Sequence, residues 1–161
     1  MKRWPSGAKA QIHNDFRGTA EAVPSRNPYF SKPGPRREPE AQMSKVNIAD
    51  KFSKITEYWK PYIGADLNGQ HVKFDKLKGE FVFHHHENED EMFLVVKGRF
   101  RMEFRDHHEW IEAGEFIVVP RGVEHKPVAD EECWLLLFEP AGTLNTGNVA
   151  NERTHRELER V

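Results

Sequence analysis

Cysteine occurs once, at Cys133, so an internal disulfide is excluded and the chain reads as the product of a reducing compartment, the cytoplasm. No run approaches the ~20 apolar residues of a membrane-spanning helix, and the amino terminus lacks the apolar core of a secretory signal. Excess charge of one sign is missing as well. The 24 Lys and Arg face 26 Asp and Glu, which leaves no electrostatic footprint for nucleic acid or an anionic membrane. A small molecule or another protein chain is the expected partner. The 161 residues give room for one domain with a real core, and a second would be cramped.

Balance overall hides an asymmetry. Residues 1–42 carry eight Lys/Arg against four Asp/Glu and six of the ten prolines, leaving 16 against 22 for the remainder. This first part shows neither helical nor strand periodicity and cannot bury enough surface to offset its ordering entropy. Residues 1–43 are therefore expected to be disordered or a non-native extension, with natural translation starting at Met43, where organised sequence begins.

From residue 44 to 60 the pattern changes. Ile48, Phe52, Ile55 and Trp59 recur at spacings of four, three and four, which predicts an amphipathic helix capped by Ser44 or Asn47 and stopped by Pro61. Residues 61–140 then read as short strands between turns. "YIGADL" and "QHVKFDKL" flank Asn68-Gly69, a strong signal for a tight type I′ hairpin. Further runs are "EFVFHHH", "EMFLVV", "RFRMEFR", "EWIEA", "EFIVVP", "VEHKPVA" and "CWLLLFEP", with turns expected at Lys78-Gly79, Lys97-Gly98, Asp106–His108, Ala113-Gly114, Arg121-Gly122 and Asp130–Glu132. Roughly nine strands at this spacing point to an all-β barrel or double-sheet sandwich. Residues 141–161 read as a polar loop and a short helix.

The stretch "FVFHHHENEDE" over residues 81–91 carries the chemistry. In a strand, His84 and His86 share a face with Val82, while Phe81, Phe83 and His85 take the other. Glu91 opens the next strand and can return beside the two imidazoles. His125, just past the Pro120–Gly122 turn, offers a third. Three imidazole nitrogens and one carboxylate oxygen suit Fe(II), Mn(II), Ni(II), Co(II), Cu(II) or Zn(II). Without an ion the same groups, buried in a barrel, would be costly to desolvate.

These positions fall into two spaced motifs. Gly79, His84-x-His86-x4-Glu91-x6-Gly98 resembles the first cupin motif, G(X)5HXH(X)3-4E(X)6G, short by one residue after the glycine. Gly114-x5-Pro120-x-Gly122-x2-His125 resembles the second, G(X)5PXG(X)2H(X)3N, with Ala129 standing where the family has asparagine. The chain is similar to small single-domain bacterial cupins often labelled mannose-6-phosphate isomerase-like. The resemblance implies a double-stranded β-helix, or jelly-roll, barrel, with the helix before it and the short helix after it. It also implies a divalent transition metal on His84, His86, Glu91 and His125, and a homodimer.

The expected function is a metal-dependent enzyme on a small oxygen-rich metabolite, of isomerase or dioxygenase type, with Glu91 a ligand that can double as base. The other reading is a non-enzymatic cupin that binds a small ligand or metal as sensor or accessory protein. His85 is expected on the far face, His107 and His108 in a solvated turn, and His71 exposed or at a subunit contact. Glu87, Asn88, Glu89 and Asp90 form an acidic loop at the mouth. The apolar run Cys133–Phe138 predicts burial on both faces, one in the barrel and one against a partner, with Cys133 an inert thiol.

Overall fold

The computed structural model describes residues 45–161. The expectations for residues 1–43 lie outside the described residues. In chain order the elements are α1 (Ile48–Phe52), β1 (Tyr62–Leu67), β2 (Gln70–Glu80), β3 (Glu91–Lys97), β4 (Arg99–Glu103), β5 (His108–Glu112), β6 (Phe116–Val119) and β7 (Lys126–Pro140). Every ladder between them is antiparallel. The strands run in the order β1-β2-β7-β3-β6, and β4 bridges β7 to β5. This is an all-β jelly-roll barrel.

The hairpin between β1 and β2 forms as its two turn residues require. Asn68 and Gly69 take φ values of 53° and 80°, the left-handed pair of a type I′ turn, and Leu67 meets Gln70 in register. Two other turn signals end differently. Gly79, at φ 81°, stays inside β2, and Asp130–Glu132 stays inside β7. The pairing passes from Leu77↔Cys133 to Gly79↔Ala129, so two steps on one strand oppose four on the other. The glycine and the acidic triplet thus make one bulge, a device that lets strands turn from one sheet into the next.

Consequently the "KPVA" that ends "VEHKPVA" and the run "CWLLLFEP" lie on one strand of 15 residues. "EFVFHHH" divides: Glu80 ends β2, and residues beyond it hold to the barrel mainly through Phe81 N–H to the Pro127 carbonyl (3.0 Å) and a lone bridge between His84 and His125.

The helix is shorter than its periodicity suggests. Asn47 caps it, accepting from Asp50 N–H at 3.3 Å, and Ser53 closes it by turning its hydroxyl back to the Asp50 carbonyl at 2.8 Å. Lys54 and Ile55 then bond three residues back, a tightening typical of a helix end. Phe52 and Ile55 bury against Phe74, with Phe52 stacked on Trp134 at 4.8 Å. Trp59 instead joins the barrel core through a left-handed backbone turn, φ 61°, and Ile48 faces solvent.

No helix forms over residues 141–161. Asparagine and threonine side chains take the backbone partners a helix would need: Asn145 donates to the Arg153 carbonyl and accepts from His155 N–H, and Thr154 accepts from Asn151 N–H. The last residues run beside β1, exchanging Ile63 N–H to Glu159 and Val161 N–H to Ile63, which covers an otherwise open edge.

Inside the barrel, β7 presents Cys133, Leu135, Leu137 and Glu139, all buried, while β2 presents Lys73, Asp75 and Leu77. The inward phase of β2 is therefore the odd one. His71 sits on that phase, half-buried beside Asp66 at 3.2 Å, which removes the exposed placement, one of the two expected for it. On the outside, Trp134 and Leu136 pack beneath α1, so this chain itself covers part of the face assigned to a partner. Phe116 (60% exposed), Val118 and Leu67 stay open to solvent.

Candidate metal centre

His84 and His125 are joined backbone to backbone, each N–H bonding the other's carbonyl at 3.0 and 2.9 Å. The bridge sets their imidazoles 4.3 Å apart, centroid to centroid. Gly122 N–H bonds the His86 carbonyl at 2.7 Å, tying the second motif's turn to the first motif's histidines. Glu91 enters as the first residue of β3, with its carboxylate 3.2 Å from His86 Nε2 and 3.7 Å from His125 Nε2. All four residues are buried, and one potential ligand atom from each lies within 4.8 Å of the others.

Two carbonyls fix the imidazole tautomers. His84 Nδ1 lies 3.0 Å from the Val82 oxygen and His125 Nδ1 lies 2.9 Å from the Val123 oxygen. A ring that donates from Nδ1 presents a bare lone pair at Nε2, the form a metal ligand needs. His86 Nε2, His125 Nε2 and Glu91 Oε2 are buried without a well-formed hydrogen bond. Groups like these are costly to bury for folding alone. Their convergence fits a divalent ion of borderline hardness, which would satisfy them together.

Charge reinforces the fit. Burial pushes the Glu91 carboxyl up, but the close approach of the His125 and His86 rings outweighs it and draws the value down to about 2. Burial lowers His84 to about 4, helped by the neighbouring His125, so that ring stays neutral at physiological pH. His86 is raised: burial opposes this, and the adjacent Glu91 carboxylate overrides it.

The sequence matches the family described as "Cupin domain" over residues 71–138. A cupin-2 domain protein from Shewanella frigidimarina NCIMB 400 is 44% identical, covering 59% of this chain and 93% of its own, with a TM-score of 0.59. The chain belongs to the cupin family. Protein NMB1881 of Neisseria meningitidis is 31% identical to this cupin over 61% of the chain and all of its own, at a TM-score of 0.56. The uncharacterized protein YdbB of Bacillus subtilis is 27% identical over 86 residues, 52% of this chain and 76% of YdbB.

Around the cluster of this cupin, His85 points away, partly exposed and 3.4 Å from Glu87. His107 lies in the turn before β5 beside Asp106, and His108 begins that strand on an exposed position. Ala129 is fully buried in the apolar core, where an asparagine's polar end would meet no water. Cys133 is buried and its thiol is pushed up to about 12 by burial, which removes it as a nucleophile. The acidic loop is partly tied down. Asp90 accepts from Arg121 N–H at 3.0 Å and faces its guanidinium, whereas Glu87 and Glu89 line an open depression of about 200 Å³ with His86, Leu144 and Asn148.

Two groups of residues escaped sequence reasoning. Asn148 brackets the histidine run, its side chain accepting from His85 N–H at 2.9 Å and its own N–H bonding the His85 carbonyl at 3.0 Å. Next to it Gly147, φ 50°, packs so closely that a Cβ would stand 2.2 Å from the His85 oxygen. The other group is buried charge: Lys73 and Glu139 pair at 2.7 Å, 0% and 1% exposed, with Asp75 further along the same face. Their signal was the odd phase of β2 and β7, masked by Val72 and Phe74, which resemble core residues.

Proposed function

We propose that this chain is a metal-dependent cupin enzyme acting on a small oxygen-rich metabolite, with the ion held by His84, His86, Glu91 and His125. The observation that carries this reading is the convergence of three orphaned, buried donor atoms, from Glu91 and two tautomer-fixed or Glu91-paired histidines, on one point. A bound divalent ion would supply Lewis acidity toward a substrate oxygen, the requirement shared by isomerase and dioxygenase chemistry. Glu91, its carboxylate kept ionised among the imidazoles, serves as a ligand, and takes the second role of base where its coordination to the ion is loose.

Glu87 and Glu89 at the mouth favour a neutral or cationic substrate. This speaks against a sugar phosphate and so against a mannose-6-phosphate isomerase activity. The exposed apolar residues Phe116, Val118 and Leu67, with Val72, Met92, Leu94 and Phe138 lining a groove beside Leu67, support a homodimer through the outer sheet. The buried free thiol of Cys133 suits the cytoplasm. Among the described residues no helix is long and apolar enough to cross a membrane.

A non-enzymatic sensor is the second reading, favoured by the narrowness of the interior cavity, about 30 Å³. Turnover separates the two. Fe(II)- or Mn(II)-loaded protein is presented with diketones, phenols, polyols and sugar phosphates while oxygen uptake and substrate loss are followed. Product formed by wild type and not by His86→Ala supports the enzyme; saturable binding without product supports the sensor.

A further inference from the structure

Two spaces border the candidate centre. His84 and Glu91 line the interior cavity of about 30 Å³, which has room for about one water. His86 lines the open depression of about 200 Å³. Of the two, only the depression admits a molecule of several heavy atoms, so a ligand meets the centre across His86.

The floor of this depression is chemically unfinished. His86 is 4% exposed, and its Nε2 is buried without a well-formed hydrogen bond, which is costly for folding alone. The rim is unfinished in charge. Glu87 and Glu89 supply its carboxylates, and the rest of the wall, Leu144, Gly147 and Asn148 among it, carries no Lys or Arg. Asp90 in the same loop is matched by Arg121, whose backbone N–H stands at 3.0 Å and Nε at 3.3 Å. Other acids are matched likewise, Glu80 by Lys126 and Glu124 by Arg105. Glu87 instead has the His85 ring at 3.4 Å, and Glu89 has the Asn88 N–H at 3.2 Å. Among the described residues no Lys or Arg pairs with either. The tail wall is fixed, because Asn148 grips His85 through both side chain and backbone. Two unmatched carboxylates thus stand beside the incompletely bonded imidazole, and the missing positive charge is left to the ligand.

We propose that the substrate of this centre is a small organic cation, with an oxygen donor for the ion beside His86, a short carbon chain along Leu144, and an ammonium or guanidinium paired with Glu87 and Glu89. This deepens the metal reading of the centre and rests on it. The two glutamates lie outside the ligand set, so they select the ligand without holding the ion. A cation at the rim gains from both carboxylates, whereas an anion of the same size is repelled by both.

Hydroxamates serve as probes, since their two oxygens bind Zn(II). Titration calorimetry of Zn(II)-loaded protein at low ionic strength compares β-alanine hydroxamate with butyrohydroxamate, in which a methyl replaces the ammonium, while elemental analysis records metal content. In the double variant Glu87→Gln with Glu89→Gln, affinity for the cationic probe falls about threefold to tenfold, the worth of one or two exposed ion pairs. Affinity for butyrohydroxamate and metal content stay those of wild type. Each probe is compared with itself across proteins, so the ammonium's effect on hydroxamate acidity cancels. Salt at about 0.5 M shrinks the difference. Glu87→Lys with Glu89→Lys is the second variant, and it turns the order round: succinate monohydroxamate gains and β-alanine hydroxamate loses. A cationic probe that binds wild type and both variants alike overturns the proposal and leaves the centre standing. So does an equal loss of the neutral probe, or a loaded wild type that binds neither. A wild type that takes up no metal overturns the centre and this proposal with it.

Discussion

Two buried polar clusters share the barrel interior, and they meet the problem of buried charge with different partners. Lys73 and Glu139 face each other at 2.7 Å, with the ammonium also reaching the Thr143 carbonyl at 3.3 Å. Neither Glu139 oxygen has a well-formed hydrogen bond, and burial, with the charge of Glu91, pushes its carboxyl up to about 8 against the pull of Lys73, so the ammonium compensates it only in part. The cluster of His84, His86, Glu91 and His125 has outward partners that orient its rings, yet its inner atoms aim at a common point and lack good hydrogen bonds. Burial alone thus does not mark a site. What separates the two is whether an ammonium stands opposite the unsatisfied oxygens or lone pairs from several residues face a shared space.

The largest expected effect falls on the second cluster. His86→Ala should lower Zn(II) affinity by more than the roughly 10- to 100-fold typical of losing an outer-shell partner, read by competition with a chromogenic chelator. Affinity equal to wild type would make the two clusters alike. The first cluster should answer in stability instead. Lys73→Met leaves Glu139 buried and uncompensated, at a cost of about 3–5 kcal/mol in urea unfolding, whereas Lys73→Met with Glu139→Leu should recover most of it. A double variant no better than the single would show that the pair is more than self-compensating.

Gly147→Ala tests the tail that presses on the histidines. Its left-handed φ and the approach to the His85 oxygen predict a loss of about 1–3 kcal/mol, with weakened metal uptake because His84 is displaced. Acid should give the mildest response. In metal-free protein His84 sits at about 4, below its ordinary 6.5, so the unfolded chain binds the proton first and stability declines as pH falls from 6.5 toward 4. Glu91, drawn from 4.5 to about 2, adds stability that is full above 4.5 and is lost as pH drops through 2. His86, raised, contributes in the opposite sense, its share being lost as pH climbs above 6.5. Glu139, pushed up to about 8 by burial, and Asp75, held well above its ordinary value by burial, act as His86 does and add stability as pH falls from 7 toward 4.5. The Glu91 share is therefore read below that range: urea midpoints should fall from pH 3.5 to pH 2.5, and equal midpoints would reverse its assigned shift.

Much of this was legible because strand alternation and turn chemistry are local. The Asn68-Gly69 hairpin and the gathering of four ligand-type side chains followed from residue types at fixed spacings. What escaped depended on partners distant in sequence. Gly79 and Asp130–Glu132 each resemble a turn, and only their meeting across two strands makes them a bulge. The helix reading counted Ile48 and Trp59 but not the hydroxyl of Ser53 that closes the last turn. Val72 and Phe74 concealed the inward phase of β2, because Phe74 beneath α1 and Val72 in the outer groove look the same in sequence as residues in the barrel. The tail's asparagines and threonines show their use only once their backbone partners stand beside them.

The long strand β7 carries one last implication. Leu135, Leu137 and Glu139 border the interior while Leu136 and Phe138 alternate with them on the outer surface, so a single peptide thickness separates the two environments. Any molecule that seats itself on the exterior groove presses on the reverse side of the strip walling the inner chamber, and affinity measured at one surface should register what occupies the other.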